Sequence, residues 1–240
     1  GQVLDRVEGD HEGAFPVAEG LALLAASRSG LAERELLQLL GGEVTQLAWA
    51  RVHRGLSAYL VQRGELLDFA HRTLWKAVKA RYGDEPERHQ RLADYFLTAD
   101  IERRVVERPW QLEQAKVWEA LKAELVSLEV MRWFNSRGLA YEWSAYWSSL
   151  EGQYEMVGAC VAAALTEIDP LAAVLHSSEA ALLLQAAGVQ NEVLPLLERA
   201  VAVSSEGLGQ SDPNTRVSLN NLALFWKAKG DYEKALLLYE

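Results

Sequence analysis

The 240-residue chain holds a single cysteine, Cys160, which excludes an internal disulfide. That thiol lies in VGACVAAAL among small apolar residues with no basic neighbour, the setting of a plain buried cysteine and not of an activated thiolate. No apolar run approaches the ~20 residues a membrane-spanning helix requires, and no signal peptide opens the chain. Basic residues are scarce: 24 Lys and Arg against 34 Asp and Glu leave a net charge of −10. That balance fits a cytoplasmic protein and speaks against a chain devoted to nucleic acid. His89 has no second His, Cys or acid at metal-ligand spacing. No Ser/His/Asp or Cys/His constellation can be placed, and acids such as Asp84-Glu85 or Asp231 with Glu233 read as solvated charges. The expectation is a chain with no catalytic residue, no metal site and no cofactor of its own.

What is present divides by charge and pattern. An acidic leader, residues 1–18, carries −3; residues 19–83 are basic, residues 84–150 acidic again, and residues 151–240 carry −7. In the second segment EGLALLAASRSG reads as an apolar helix ended by Gly30, and LAERELLQLLGG as a short helix closed by Gly41-Gly42. A longer helix follows, with Val44, Leu47, Val52, Leu56 and Tyr59 at helical spacing. YLVQRGELLDFA reads as two short strands around Gln62-Arg63-Gly64-Glu65, where glycine permits the positive φ of a tight hairpin. HRTLWKAVKARYG closes the segment with Leu74, Val78 and Tyr82 on one helix face. Helix, helix, helix, hairpin, helix is the order of a winged helix. Its third helix offers Arg51, His53 and Arg54 to a DNA groove, but a DNA reader normally carries a denser basic face.

His71 heads the last of these helices. A histidine there can donate a ring N–H to a phosphate at the helix N-terminus; alternatively it caps the helix or fills the corner after the hairpin. Residues 84–150 read as a helical connector in which Pro109 sits in the first turn of a helix lining up Leu112, Ala115, Trp118, Leu121 and Leu125. Trp110, Trp118, Trp133, Trp143 and Trp147 crowd this stretch and read as core.

The last segment carries tetratricopeptide spacing, a helix pair recurring every ~34 residues. Leu219, Leu222, Ala223, Trp226, Gly230, Tyr232, Ala235 and Tyr239 fill its slots. An earlier unit places Ser177, Ala180, Ala181, Leu184, Gly188, Gln190, Val193, Leu197 and Ala200 in the same slots, and Gly152, Tyr154, Val157, Val161 and Ala164 mark a degenerate one. The last unit stops before its slots are complete, and the chain opens at GQVLDRVEGD without Met; further repeats and an upstream domain are the expectation. The fold class expected is mainly all-α, a winged helix with a small β-hairpin followed by an α-solenoid. Asn220, Asn221, Phe225 and Lys227 are the candidates for partner binding on its concave surface, since Asn amides bond a peptide backbone.

Two resemblances sharpen this reading. LALLAASRSGLAERELLQLLGG followed by LLDFAHRTLWKAV resembles the winged helix of STAND-class signalling ATPases, which follows a NACHT or NB-ARC domain. Its Met-His-Asp-like motif falls at Ala70-His71-Arg72, where only the histidine is kept. The resemblance implies that His71 senses the β-phosphate of ADP held by a missing upstream NTPase domain, since no G-x-x-x-x-G-K-[ST] occurs in this chain. The 42-residue spacing from Ser177 to Leu219 and LGQSDPNTRVSLNNLA resemble the repeats of kinesin light chains, and the combined order is similar to nephrocystin-type and bacterial NACHT–tetratricopeptide proteins. Such a family implies a non-catalytic sensor arm that binds a protein or peptide, relays to an ADP/ATP switch in cis, gives oligomerisation of the parent as output, and serves antiviral defence in bacteria. The alternative is a winged-helix transcription regulator with a tetratricopeptide sensor.

Overall fold

The computed structural model describes residues 2–10, 16–41 and 44–239. Gly42, residues 11–15 of the leader and Glu240, all used in the reading above, lie outside them. The described chain is mainly helical, with fifteen helices and three short strands, and it divides into two compact units, residues 1–117 and 118–240.

The first unit contains α1 (Gln2–Asp10), α2 (Val17–Ala26), β1 (Leu31–Ala32), α3 (Glu33–Leu40), α4 (Gln46–Leu56), β2 (Leu60–Arg63), β3 (Leu66–Phe69), α5 (Arg72–Tyr82), α6 (Pro86–Phe96) and α7 (Ile101–Gln114). Apolar residues on all sides of α2 make it the buried axis: Leu21 to Ala26 are all inside. β2 and β3 form the expected hairpin across Gly64-Glu65, with Gly64 at φ 63°. A further strand appears: β1 joins β3 antiparallel in the order β1-β3-β2. Gly30 therefore does something other than end the first helix, which stops at Ser27. At φ 87° it brings the chain so close to β3 that any Cβ would run into the Leu67 carbonyl.

On α4 the core stripe is Trp49, Val52 and Leu56, while Leu47 stands exposed and Val44 and Tyr59 lie outside the helix. Pro109 lies inside α7, not at a helix start. Asp100 caps that helix by accepting from the Arg103 N–H at 3.1 Å, and burial of Glu107, Arg108, Gln111 and Leu112 holds it past the missing proline donor. The expected continuation breaks at Lys116, φ 58°, where the Val117 N–H returns to the Leu112 carbonyl at 3.0 Å and closes the helix. The leader also folds: α1 buries Leu4 and Val7 in the core of this unit.

The second unit contains α8 (Trp118–Leu125), α9 (Leu128–Arg137), α10 (Ala140–Ser149), α11 (Met156–Thr166), α12 (Pro170–Ala186), α13 (Leu194–Gly207), α14 (Pro213–Ala228) and α15 (Tyr232–Tyr239). Packing runs along the chain, α11 on α12, α12 on α13, α13 on α14 and α14 on α15, with α12 also touching α14. That is the stacking of a helical-repeat solenoid. Trp143 and Trp147 are core, Trp143 donating to the Leu125 carbonyl at 3.0 Å, whereas Trp118 and Trp133 are half-buried.

Candidate functional site

The repeat face is assembled from local signals. α12 and α14 each open on an Asp-Pro pair: Asp169 accepts from the Ala172 N–H at 2.8 Å, Asp212 from the Asn214 N–H at 2.7 Å, and the prolines take the first helical position. The stretch LGQSDPNTRVSLNNLA is thus helix from Pro213 on. Gly188 and Gly230, at φ 95° and 79°, turn the chain into the second helix of each pair. Ala180, Ala181, Val193 and Ala200 are fully buried, so small side chains set the helix–helix approach as the spacing required. In the last unit Leu222, Ala223 and Ala235 are buried, but Tyr232 and Tyr239 remain more than half exposed, because α15 buries only Ala235 against α14.

The four candidate partner residues divide between two sides of α14. Asn220 and Lys227 are exposed, and Asn221 is half-buried. Val217 and Leu224, also exposed, share the Asn220/Lys227 side at i, i+3, i+7 and i+10, giving one mixed polar and apolar strip. Phe225 is buried, edge-on to Trp226 at 5.3 Å, and lines a cavity of about 320 Å³ with Asn191, Leu194 and Lys229. Val217 and Leu224 escaped sequence reading because the tetratricopeptide slots describe packing and leave the outward positions unspecified.

In the first unit His71 is the residue preceding α5, exposed, with no side-chain capping bond. It lines a cavity of about 550 Å³ beside Val3 and Leu4 of α1 and Tyr59, Leu74 and Ala77. α1 is held there by Arg81, which pairs with both Asp5 and Glu8, and by the Tyr82 hydroxyl, which donates to Glu8 at 2.7 Å. The Arg81 hydrogen bond holds the Asp5 carboxyl below its usual range, and burial, reinforced by Glu8, pushes the Tyr82 phenol up. On α4, Arg51 and Arg54 are exposed while His53 stacks on Trp49 at 5.6 Å.

Behind this surface runs a buried polar network that no sequence pattern announced. Glu107, fully buried, accepts from the backbone N–H of Arg28 at 3.0 Å, from the N–H and hydroxyl of Ser29 at 2.9 and 2.6 Å, and from the Gln111 amide at 3.1 Å. Arg103 forks onto Glu35 at 2.8 Å and reaches the Gly30 carbonyl at 3.0 Å. The Gln111 amide nitrogen is committed to Glu107 and the Ala26 carbonyl, so its oxygen faces His89 Nδ1 at 2.6 Å. His89 Nε2 in turn lies 3.0 Å from Asp84. Both ring nitrogens of His89 thus face oxygen partners, one on each side of the ring. Burial pushes Asp84 up, but hydrogen bonds from Lys79 and His89 outweigh it and hold the carboxyl below its usual range. Cys160 is pushed up to about 12 by burial and Glu155. Among the described residues no group of three His, Cys, Asp or Glu could hold a metal ion, and no helix is long and apolar enough to cross a membrane.

No family model matches the chain. A TPR repeat-containing protein of Dictyostelium discoideum is 30% identical over a stretch covering 63% of this chain and 10% of that protein. NACHT domain- and WD repeat-containing protein 1 of Mus musculus is 35% identical over 40% of this chain and 8% of its own length. The chain thus spans about a tenth or less of the curated relatives it matches. Together with the stacked helix pairs, these similarities support a repeat-containing, mainly helical protein.

Proposed function

We propose that this chain is the non-catalytic sensor and regulatory arm of a STAND-type signalling ATPase, its repeats binding a protein or peptide partner. The observation that carries the binding half is the outward strip on α14, where Val217 and Leu224 alternate with Asn220 and Lys227 on a helix that α12, α13 and α15 hold in place. Exposed apolar side chains among amide and ammonium groups suit an extended peptide: apolar contact supplies affinity, and the amide supplies backbone pairing. The relay half rests on the winged-helix order of elements and on His71, exposed and uncapped at the head of α5. A ring N–H there is available to the β-phosphate of ADP held by an upstream NTPase domain. The similarity to a protein whose name includes a NACHT domain favours that partner in cis. Cytoplasmic action, oligomerisation of the parent and antiviral defence belong to the same reading.

The test uses the full-length parent: nucleotide carried through purification is quantified for wild type and His71→Ala. Retained ADP in wild type, and its loss or constitutive oligomerisation in the variant, supports the nucleotide lock. Unchanged nucleotide in the variant assigns His71 to the corner between hairpin and helix alone. A second reading, a DNA-binding regulator, is favoured by exposed Arg51 and Arg54 on α4. It requires duplex binding that weakens steeply with salt and is lost in the Arg51→Ala/Arg54→Ala variant.

A further inference from the structure

In the first unit a cavity of about 380 Å³ opens between the loop after α2, strand β3, α5 and α7. Its walls include Arg28, Asp68, Phe69, Arg72, Trp75 and Trp110. We propose that it binds a small anion carried on an aromatic ring, a phosphate ester or a carboxylate.

The walls are fixed. The Trp75 indole donates to the Ala25 carbonyl at 3.0 Å, and Trp110 meets the His89 ring edge-on at 5.4 Å. Arg28 is seated twice. Its guanidinium donates to the Val106 carbonyl at 3.2 Å, and its backbone N–H, with that of Ser29, is held by the buried Glu107 carboxylate. A buried carboxylate is a costly way to hold a surface loop; what it achieves here is a rigid seat for Arg28, and rigid walls lower the ordering cost of binding.

The chemistry follows from the lining. Guanidinium groups match carboxylate and phosphate oxygens in bidentate geometry, and Arg72, at the first position of α5, faces the same space as Arg28. The indoles and Phe69 give a flat ring the apolar surface it needs, and Asp68, whose Oδ1 already accepts the Phe69 N–H at 2.7 Å, offers an acceptor to a donor on the ligand. Inorganic phosphate would engage only the arginines, and a neutral ring only the indoles. Either half alone binds more weakly than the two joined.

The experiment is ligand-observed NMR on the 240-residue chain with four probes at millimolar concentration: phenyl phosphate, benzoate, inorganic phosphate and benzyl alcohol. At least one ring anion is expected to bind about tenfold or more tightly than inorganic phosphate and benzyl alcohol; which of the two ranks higher tells ester from carboxylate. Arg72→Ala, at an exposed position, should weaken that binding about tenfold, while Arg51→Ala on α4 should leave it unchanged. Absence of binding by both ring anions overturns the proposal. So does an unchanged affinity in Arg72→Ala, and so does equal weakening by Arg51→Ala, which would reveal diffuse charge attraction only.

Discussion

Glu107→Ala is the most informative single perturbation of the first unit. The wild-type carboxylate takes two backbone N–H groups, one hydroxyl and one amide, and the Arg103 guanidinium stands 3.6 Å away. Truncation orphans the Arg28 and Ser29 N–H groups, each worth about 1–3 kcal/mol when buried and unpaired. Arg103 keeps its fork on Glu35, so its charge is not abandoned. Breaking one partner of a buried ionic cluster costs about 3–5 kcal/mol, and the two routes agree on a loss of that order. Against a domain stability of about 5–15 kcal/mol, such a loss leaves this unit marginal. Glu107→Gln keeps the shape but turns an NH₂ towards N–H donors and should lose about 1–3 kcal/mol. Because the chain holds two compact units, a single unfolding curve does not assign the loss. Urea titration read by hydrogen exchange on peptides covering residues 16–41 does, and it reports the Arg28 and Ser29 amides directly. A shift below about 1 kcal/mol in Glu107→Ala, or unchanged exchange at those two amides, would refute the account of Glu107 as the anchor of the loop.

Gly30→Ala forces a Cβ into the Leu67 carbonyl at φ 87° and should cost about 1–3 kcal/mol, seen as a fall in the urea midpoint of the first unit; a midpoint within error of wild type sinks the close-approach argument. Asp84, held below its ordinary range, contributes stability that is present above its unfolded value and lost as pH falls through the lower folded value. Stability measured from neutral to acid pH should therefore fall less steeply in Asp84→Asn than in wild type, and parallel curves would contradict the hold of Lys79 and His89 on Asp84. Cys160, buried and pushed up to about 12, should react with a thiol-specific disulfide reagent only at the rate of local opening and at full speed in denaturant; rapid labelling of the native chain would place the thiol at the surface.

Residues whose role is set by neighbours in sequence were legible. The hairpin follows from Gly64 between two apolar runs. The repeat core follows from Ala180, Ala181, Leu184 and Ala223 at helical spacing, because a helix buries the same residues whichever partner covers them. Residues whose role depends on distant partners were not. Gly30 looked like a helix stop and proved to be where β1 meets β3; Pro109 looked like a first turn and sits inside α7, where buried neighbours outweigh its missing donor. His71 was visible as a helix head from local order alone. Phe225 was visible as an aromatic ring on α14, but its direction, inward to the Trp226 cavity, was set by packing.

The amino-acid sequence by itself determined helical content, the repeat unit and the acidic balance, since propensity, periodicity and charge are properties of short stretches and of composition. Only the tertiary structure decided that Glu107 would meet the Arg28 and Ser29 amides 79 and 78 residues away, and that Arg28, Arg72, Trp75 and Trp110 would share one cavity. Hydrogen bonds and pockets are made of groups that approach within a few ångströms, and that approach is fixed by how the helices stack, which no single stretch encodes.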